Sequence, residues 1–202
     1  MKKQFVIAAV LVVLCYSNGY AMLIGGQDII TAPALMLDDA PGATNNHQQA
    51  FDERQSVFLD FDLDVDDGTI ASGSTVDSHM IFLNTPVGAG GATDFGVEWL
   101  FDGIILGVMS DGPGTLEADS SALLGALGTV YPGAFPARGM EGADDYSVNG
   151  NMITVDMIVS EPGDWIRVIT QHTAAAVPAP PTVLLLLGCI GLLLGLRRRL
   201  SS

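Results

Sequence analysis

An all-β fold, an antiparallel β-sandwich of jelly-roll-like topology with one short helix, is what this sequence predicts. Three observations carry it. Between residues 56 and 170 the apolar residues fall in short runs with a two-residue period, as on strands with one buried face. The runs are separated by Gly, Asn, Asp and Pro, including the dipeptides Asp102-Gly103 and Asn149-Gly150, which favour tight β-turns. There is no strand–helix–strand rhythm of the kind a parallel sheet requires. An immunoglobulin-like sandwich is the second topology that fits.

Residues 22–50 are rich in Gly, Ala, Asp and Asn and lack periodicity, so they read as a loose lead-in with one strand near Ile29 and Ile30. The sandwich is expected over 51–172. Residues 56–67 form its clearest strand pattern. Val57, Leu59, Phe61, Leu63 and Val65 face one way, and Asp60, Asp62, Asp64 and Asp66 the other, with Phe58 an exception. Residues 75–84 follow as a strand in which Val76, Met80 and Phe82 alternate against Asp77 and His79. Adjacent strand residues point to opposite faces, so His79 cannot form a relay with Ser78 and reads as a structural histidine.

Residues 87–93 are a Gly-rich loop without the lysine that a phosphate-binding loop needs. Residues 95–101 and 104–110 flank Asp102-Gly103 as a predicted hairpin, with Trp99 in the core. Ser110 lacks the sequence context of a nucleophile elbow. Residues 115–127 are the helical candidate: Leu116, Leu123, Leu124 and Leu127 suit one face, and Ser120 or Ser121 could cap it. Residues 145–148 and 152–160 surround Asn149-Gly150 as a second hairpin. There Ile153, Val155, Met157 and Val159 point inward and Thr154 and Asp156 outward. Residues 161–164 form a Pro-Gly turn, and 165–170 the last strand.

Charge narrows the function. All 23 acidic residues lie between Asp28 and Asp164. Arg54, Arg138 and Arg167 are the basic residues between 22 and 173, so that stretch carries a formal −20 and no lysine. Such a surface repels nucleic acid and anionic lipid and attracts divalent cations. Asp60, Asp62, Asp64 and Asp66 are therefore candidate metal ligands, calcium being the ion their hard oxygens suit. The run Asp62-x-Asp64-x-Asp66-Asp67-Gly68 is not an EF-hand loop. That loop needs Gly at its sixth position and Glu at its twelfth, where this chain has Asp67 and Gly73. No other cofactor is implied. Both cysteines, Cys15 and Cys189, lie in the terminal segments, which leaves the sandwich without disulfides.

The two ends read as export signals. Residues 1–21 combine Lys2-Lys3, an apolar run and the small residues Gly19 and Ala21, the layout of a signal helix removed by signal peptidase. Residues 173–202 are a linker and tail. Val177, Pro178, Ala179 and Pro180 precede an apolar span over 183–196, followed by Arg197, Arg198 and Arg199. The span suits a short transmembrane helix, and the arginines stay on its cytoplasmic side. Pro-small-Pro, a Leu/Gly span and a terminal Arg cluster in this order resemble the PEP-CTERM sorting signal of Gram-negative bacteria, with Ala179 where Glu is usual. The resemblance implies processing near Pro178–Pro180 by an exosortase, passage through the inner membrane, and delivery to the cell surface or an exopolysaccharide matrix. Segments 76–82, 105–117 and 161–168 are also similar to those of uncharacterised PEP-CTERM surface proteins, and carry over no catalytic residue.

The resulting expectation is an exported surface or matrix protein with a non-catalytic acidic sandwich. A carbohydrate-binding module, calcium-assisted, is the alternative. For a hydrolase, Glu98, Glu117 and Glu161 are among the glutamates a pair could draw on, but acidic residues are too numerous for any pair to stand out.

Overall fold

The computed structural model describes residues 22–37, 40, 42–160 and 163–173. Residues 1–21, Glu161 and residues 174–202 lie outside these, and with them the expected signal helix, the sorting motif, the 183–196 span and Arg197–Arg199. No helix among the described residues is long and apolar enough to cross a membrane.

The described residues form eleven strands and one helix. One sheet contains β1 (Leu23–Gly25), β7 (Ala92–Phe101), β10 (Met152–Val159) and β9 (Asp145–Asn149), in that order. The second contains β2 (Gln49–Asp52), β6 (Thr75–Leu83), β11 (Asp164–Gln171) and β8 (Ile105–Met109), with β3 (Val57–Phe58) also pairing to β6. All their ladders are antiparallel. The sheets pack face to face as an all-β sandwich. Val97, Trp99, Phe101, Ile153, Val155 and Met157 meet Ala50, Ile81, Leu83, Val108, Ile166 and Val168 in one core. Each large side chain so buried contributes about 2 kcal/mol.

The second sheet is buried on its other face too. Helix α1 (Thr115–Leu124) and the β4–β5 hairpin (Leu63–Val65, Gly68–Ile70) cover one half, enclosing Val76, Met109, Leu124 and Ile169. Residues 30–37, 40 and 43, with loop 126–135, cover the other, where Met36, Ala43, Phe51, Met80, Phe82 and Trp165 pack. Residues 22–50 are thus not a loose lead-in: they supply β1 and part of this third layer. Met36 and Ala43 have no exposed surface, and Ile29 makes a parallel bridge to Ala50.

The structure departs from the sequence reading in several places. Asp77 and His79, expected to face solvent, are fully buried: they share the face of β6 that carries Ile81 and Leu83 toward the first sheet, where the His79 ring meets Phe101, while Val76, Met80 and Phe82 on the other face meet the third layer. Both are hydrogen-bonded. His79 meets Asp52 Oδ1 at 2.7 Å and Thr170 Oγ1 at 3.0 Å, and Asp77 meets His172 Nδ1 at 2.9 Å. The predicted strand over 56–67 is two short strands. β3 ends where β6 begins, so no partner backbone remains, and β4 folds onto β5 through Asp66-Asp67. Phe61 falls at the break and is half-exposed rather than buried.

Asp102-Gly103 does not close a hairpin. β7 and β8 belong to different sheets, and the dipeptide carries the chain from one layer to the other. The second signal does give a hairpin: Asn149 pairs with Met152 across Gly150-Asn151, with Gly150 at φ 67°. The inward and outward residues of β10 are as expected. The helix stops at Leu124, and Leu127 is 84% exposed.

Candidate functional site

The predicted metal row is not drawn together into a three-ligand group among the described residues. Asp60, Asp62, Asp64 and Asp66 are all exposed, and the cluster of potential metal ligands among the described residues lies elsewhere. Asp62 accepts the Ser72 amide at 2.8 Å, which closes the turn before β6. Asp66 accepts the Ser110 amide and hydroxyl at 2.9 and 2.7 Å and the Tyr146 hydroxyl at 3.0 Å. It ties the β4–β5 hairpin to the ends of β8 and β9, so its lone pairs serve the fold.

The cluster is built from Glu141, Asp144 and Asp164. One ligand oxygen from each lies within 4.8 Å of the others. Local chain geometry places them. The Asp144 carboxylate accepts the amides of Glu141 and Ile158 at 2.8 and 2.7 Å, so a small loop is pinned to the end of β10. Asp164 opens β11 opposite Leu83. The preceding Gly163 has φ 121°, and a side chain there would collide with the Asn84 side-chain oxygen and the Leu83 carbonyl. Only glycine lets the chain enter the sheet this closely.

The three carboxylates differ in exposure. Glu141 is exposed, Asp144 half-buried, and Asp164 just 1% exposed. Asp164 Oδ2 is buried and accepts no hydrogen bond among the described residues. Loss of hydration, with Asp144 and Glu141 adding repulsion, pushes the Asp164 carboxyl up to about 8. Burial and Asp144 also push Glu141 upward. No arginine or histidine among the described residues pairs with any of the three. The group can hold a proton or a cation.

Two of the domain's three arginines are committed elsewhere. Arg138 and Arg167 have no exposed surface. Arg167 forks onto Glu53, and both arginines pair with Glu117 from α1. Ser120 and Ser121, expected as helix caps, sit within the helix and accept from Arg167. The N-cap position is Gly114, and the first-turn amides are met by Asp111 just before it, whose carboxylate accepts from Thr115 and Leu116 at 2.8 and 3.0 Å. Glu117 is therefore enclosed in an ion network beneath α1, while Glu98 is exposed on the outer face of the other sheet. Those two glutamates lie on opposite sides of the sandwich and form no catalytic pair.

Beside α1 runs a groove of about 320 Å³, lined by Phe61, Asp62, Asp64, Leu116, Asp119 and Leu123 among others. Trp99 and Trp165, by contrast, are buried, with their indole N–H groups on Gln48 and Asn84. Against known proteins, the chain matches no protein-family model, no curated protein and no solved structure.

Proposed function

We infer that the chain is an exported protein of the cell surface or exopolysaccharide matrix, acting through an acidic β-sandwich that presents charge rather than performs catalysis. The observation that carries this reading is the burial of Arg138 and Arg167, two of the three arginines between residues 22 and 173, against Glu53 and Glu117. What faces solvent is almost purely anionic, a surface that stays hydrated when crowded, repels anionic polymers and concentrates divalent cations. The strand order supports a jelly-roll-like topology, because most successive main strands change sheet.

In this reading signal peptidase removes residues 1–21. The tail, with Val177, Pro178, Ala179 and Pro180 ahead of the apolar span and Arg197, Arg198 and Arg199, holds the protein in the inner membrane until an exosortase cuts it. The test is expression of the full chain in hosts with and without an exosortase, followed by mass spectrometry of the surface-released protein. The expected product lacks the 183–196 span and the arginines, and appears only in the competent host. Released protein that still carries them overturns the sorting.

The groove at Phe61 favours a second reading, a carbohydrate-binding module. An exposed aromatic ring beside carboxylates that accept hydroxyl hydrogen bonds suits a sugar face. Titration with matrix polysaccharide, comparing the natural chain with Phe61→Ala, tests it. Binding unchanged by the substitution removes this site.

A further inference from the structure

We propose that Glu141, Asp144 and Asp164 bind a calcium ion, which fastens the loop before β9 to the ends of β10 and β11. The proposal is independent of the sorting reading. It rests on two separate facts about the place. Three carboxylates converge within 4.8 Å, and one of them, Asp164, is fully buried with an oxygen that no donor satisfies. Buried carboxylate oxygens in folded proteins are hydrogen-bonded, paired or metal-bound. The described residues supply neither a donor nor a cation here.

The balancing charge comes from solution, because no basic side chain among the described residues pairs with the cluster. Arg138 and Arg167 are consumed by Glu53 and Glu117, and Arg54 lies at the far end of β2 in sequence from the β6 position that Asp164 faces. The exposed Glu141 leaves the cluster open to an ion from solvent.

The donors identify the ion class. All three are hard carboxylate oxygens, with no histidine or cysteine in the group, which favours calcium or magnesium over zinc or copper. Two oxygens on opposite sides of a calcium ion at about 2.4 Å are about 4.8 Å apart, so the spacing lets all three share one ion. Water completes the usual six to eight ligands. Asp144 is already oriented by two backbone amides, and Asp164 is fixed by the glycine before it, so little ordering remains for the ion to impose.

The test strips the full chain with chelator and follows thermal unfolding against added calcium. A saturable rise in Tm of roughly 5–10 °C is expected at a hundredfold excess over Kd. Asp144→Asn and Asp164→Asn should weaken calcium binding about tenfold or more, whereas Asp64→Asn, on the exposed row, should not. Terbium supplies a readout independent of stability, since Trp165 adjoins Asp164: luminescence excited through tryptophan should appear and be displaced by calcium. If Asp164→Asn does not fold, Asp144→Asn and Glu141→Gln carry the comparison. The proposal is overturned by a natural chain that shows neither a calcium-dependent Tm nor displaceable terbium emission. A calcium response kept in the Asp144 and Glu141 variants overturns it equally. So does an Asp164→Asn protein that is as stable as the natural chain and, like it, indifferent to calcium, since the site would then hold a proton only.

Discussion

Arg167 grips Glu53 with two nitrogens, Nε to Oε2 at 2.6 Å and Nη2 to Oε1 at 2.8 Å, and neither side chain is exposed to solvent. The pair lies on the outer face of the second sheet, where β11 is central, and α1 closes over it with Glu117, Ser120 and Ser121. Removing one member of such a pair leaves an uncompensated buried charge, which costs about 3–5 kcal/mol. Arg167→Ala should lose that much in urea denaturation, or fail to fold. Arg167→Lys keeps the charge but not the fork, and should fall between. A loss under about 1 kcal/mol for the alanine variant would mean that water reaches the network and screens it.

Two tyrosines supply a pH signature. Burial, with Glu53 adding repulsion, raises the Tyr131 hydroxyl well above its ordinary range, and burial with Asp66 does the same to Tyr146. Both therefore keep their protons in the folded chain where the unfolded chain loses them, near pH 10. Their contribution to stability is full below that pH and declines as pH rises past it. Phenolate absorbance should be missing from these two at pH 10–11 and should arrive together with unfolding. Differences between the natural chain and Tyr131→Phe or Tyr146→Phe assign the signal. Ordinary titration near pH 10 in the folded state would show that these hydroxyls are solvated.

Much of the sandwich is legible from local pattern, and the failures share a cause. β10 alternates cleanly because one face meets the core and the other meets solvent. Asn149-Gly150 works as a hairpin because β9, at the sheet edge, has no competing partner but β10. Asp102-Gly103 has the same local chemistry, yet its flanking runs find better partners, β7 with β10 and β8 with β11. A dipeptide can favour a turn but cannot say which strands will pair. His79 and Asp77 look solvent-facing by alternation with Met80 and Phe82, but they share the face of β6 that carries Ile81 and Leu83 into the core between the sheets, while Met80 and Phe82 pack against a layer remote in sequence, residues 30–37, 40, 43 and 126–135. The acidic row at Asp60–Asp66 is conspicuous by spacing, whereas Asp164 joins Glu141 and Asp144 through the register of β11. Its signal in the sequence is faint: a carboxylate directly after Gly163, at the head of an apolar strand.

Gly163 tests how strictly that register is held. At φ 121° an L side chain is strained, and the Asn84 oxygen and Leu83 carbonyl already occupy the space a Cβ would take. Asn84 cannot retreat easily, since it bonds Asn45, the Ala43 carbonyl and the Trp165 indole. Gly163→Ala should cost about 1–3 kcal/mol in chemical denaturation and also weaken calcium binding by displacing Asp164. A stable Gly163→Ala chain with unchanged metal affinity would show that the entry to β11 can shift without disturbing the cluster.

The helix cap reports on the ion network from a distance. Asp111 accepts two amides from the first turn of α1, and its own backbone carbonyl accepts from Gly114. A typical N-cap replaced by alanine costs about 1 kcal/mol. Here the first turn also carries Glu117, whose carboxylate must stay between Arg138 and Arg167. Fraying of that turn would draw Glu117 away and leave buried guanidinium charge short of a partner. Asp111→Ala should therefore lose more than an isolated cap, about 2 kcal/mol, while Asp111→Asn, still an acceptor, should lose less. The coupling is measurable as a double-mutant cycle with Glu117→Gln: once the Glu117 charge is gone, the excess cost at Asp111 should shrink toward that of an ordinary cap. Strict additivity would show that the cap and the network act on separate parts of the helix.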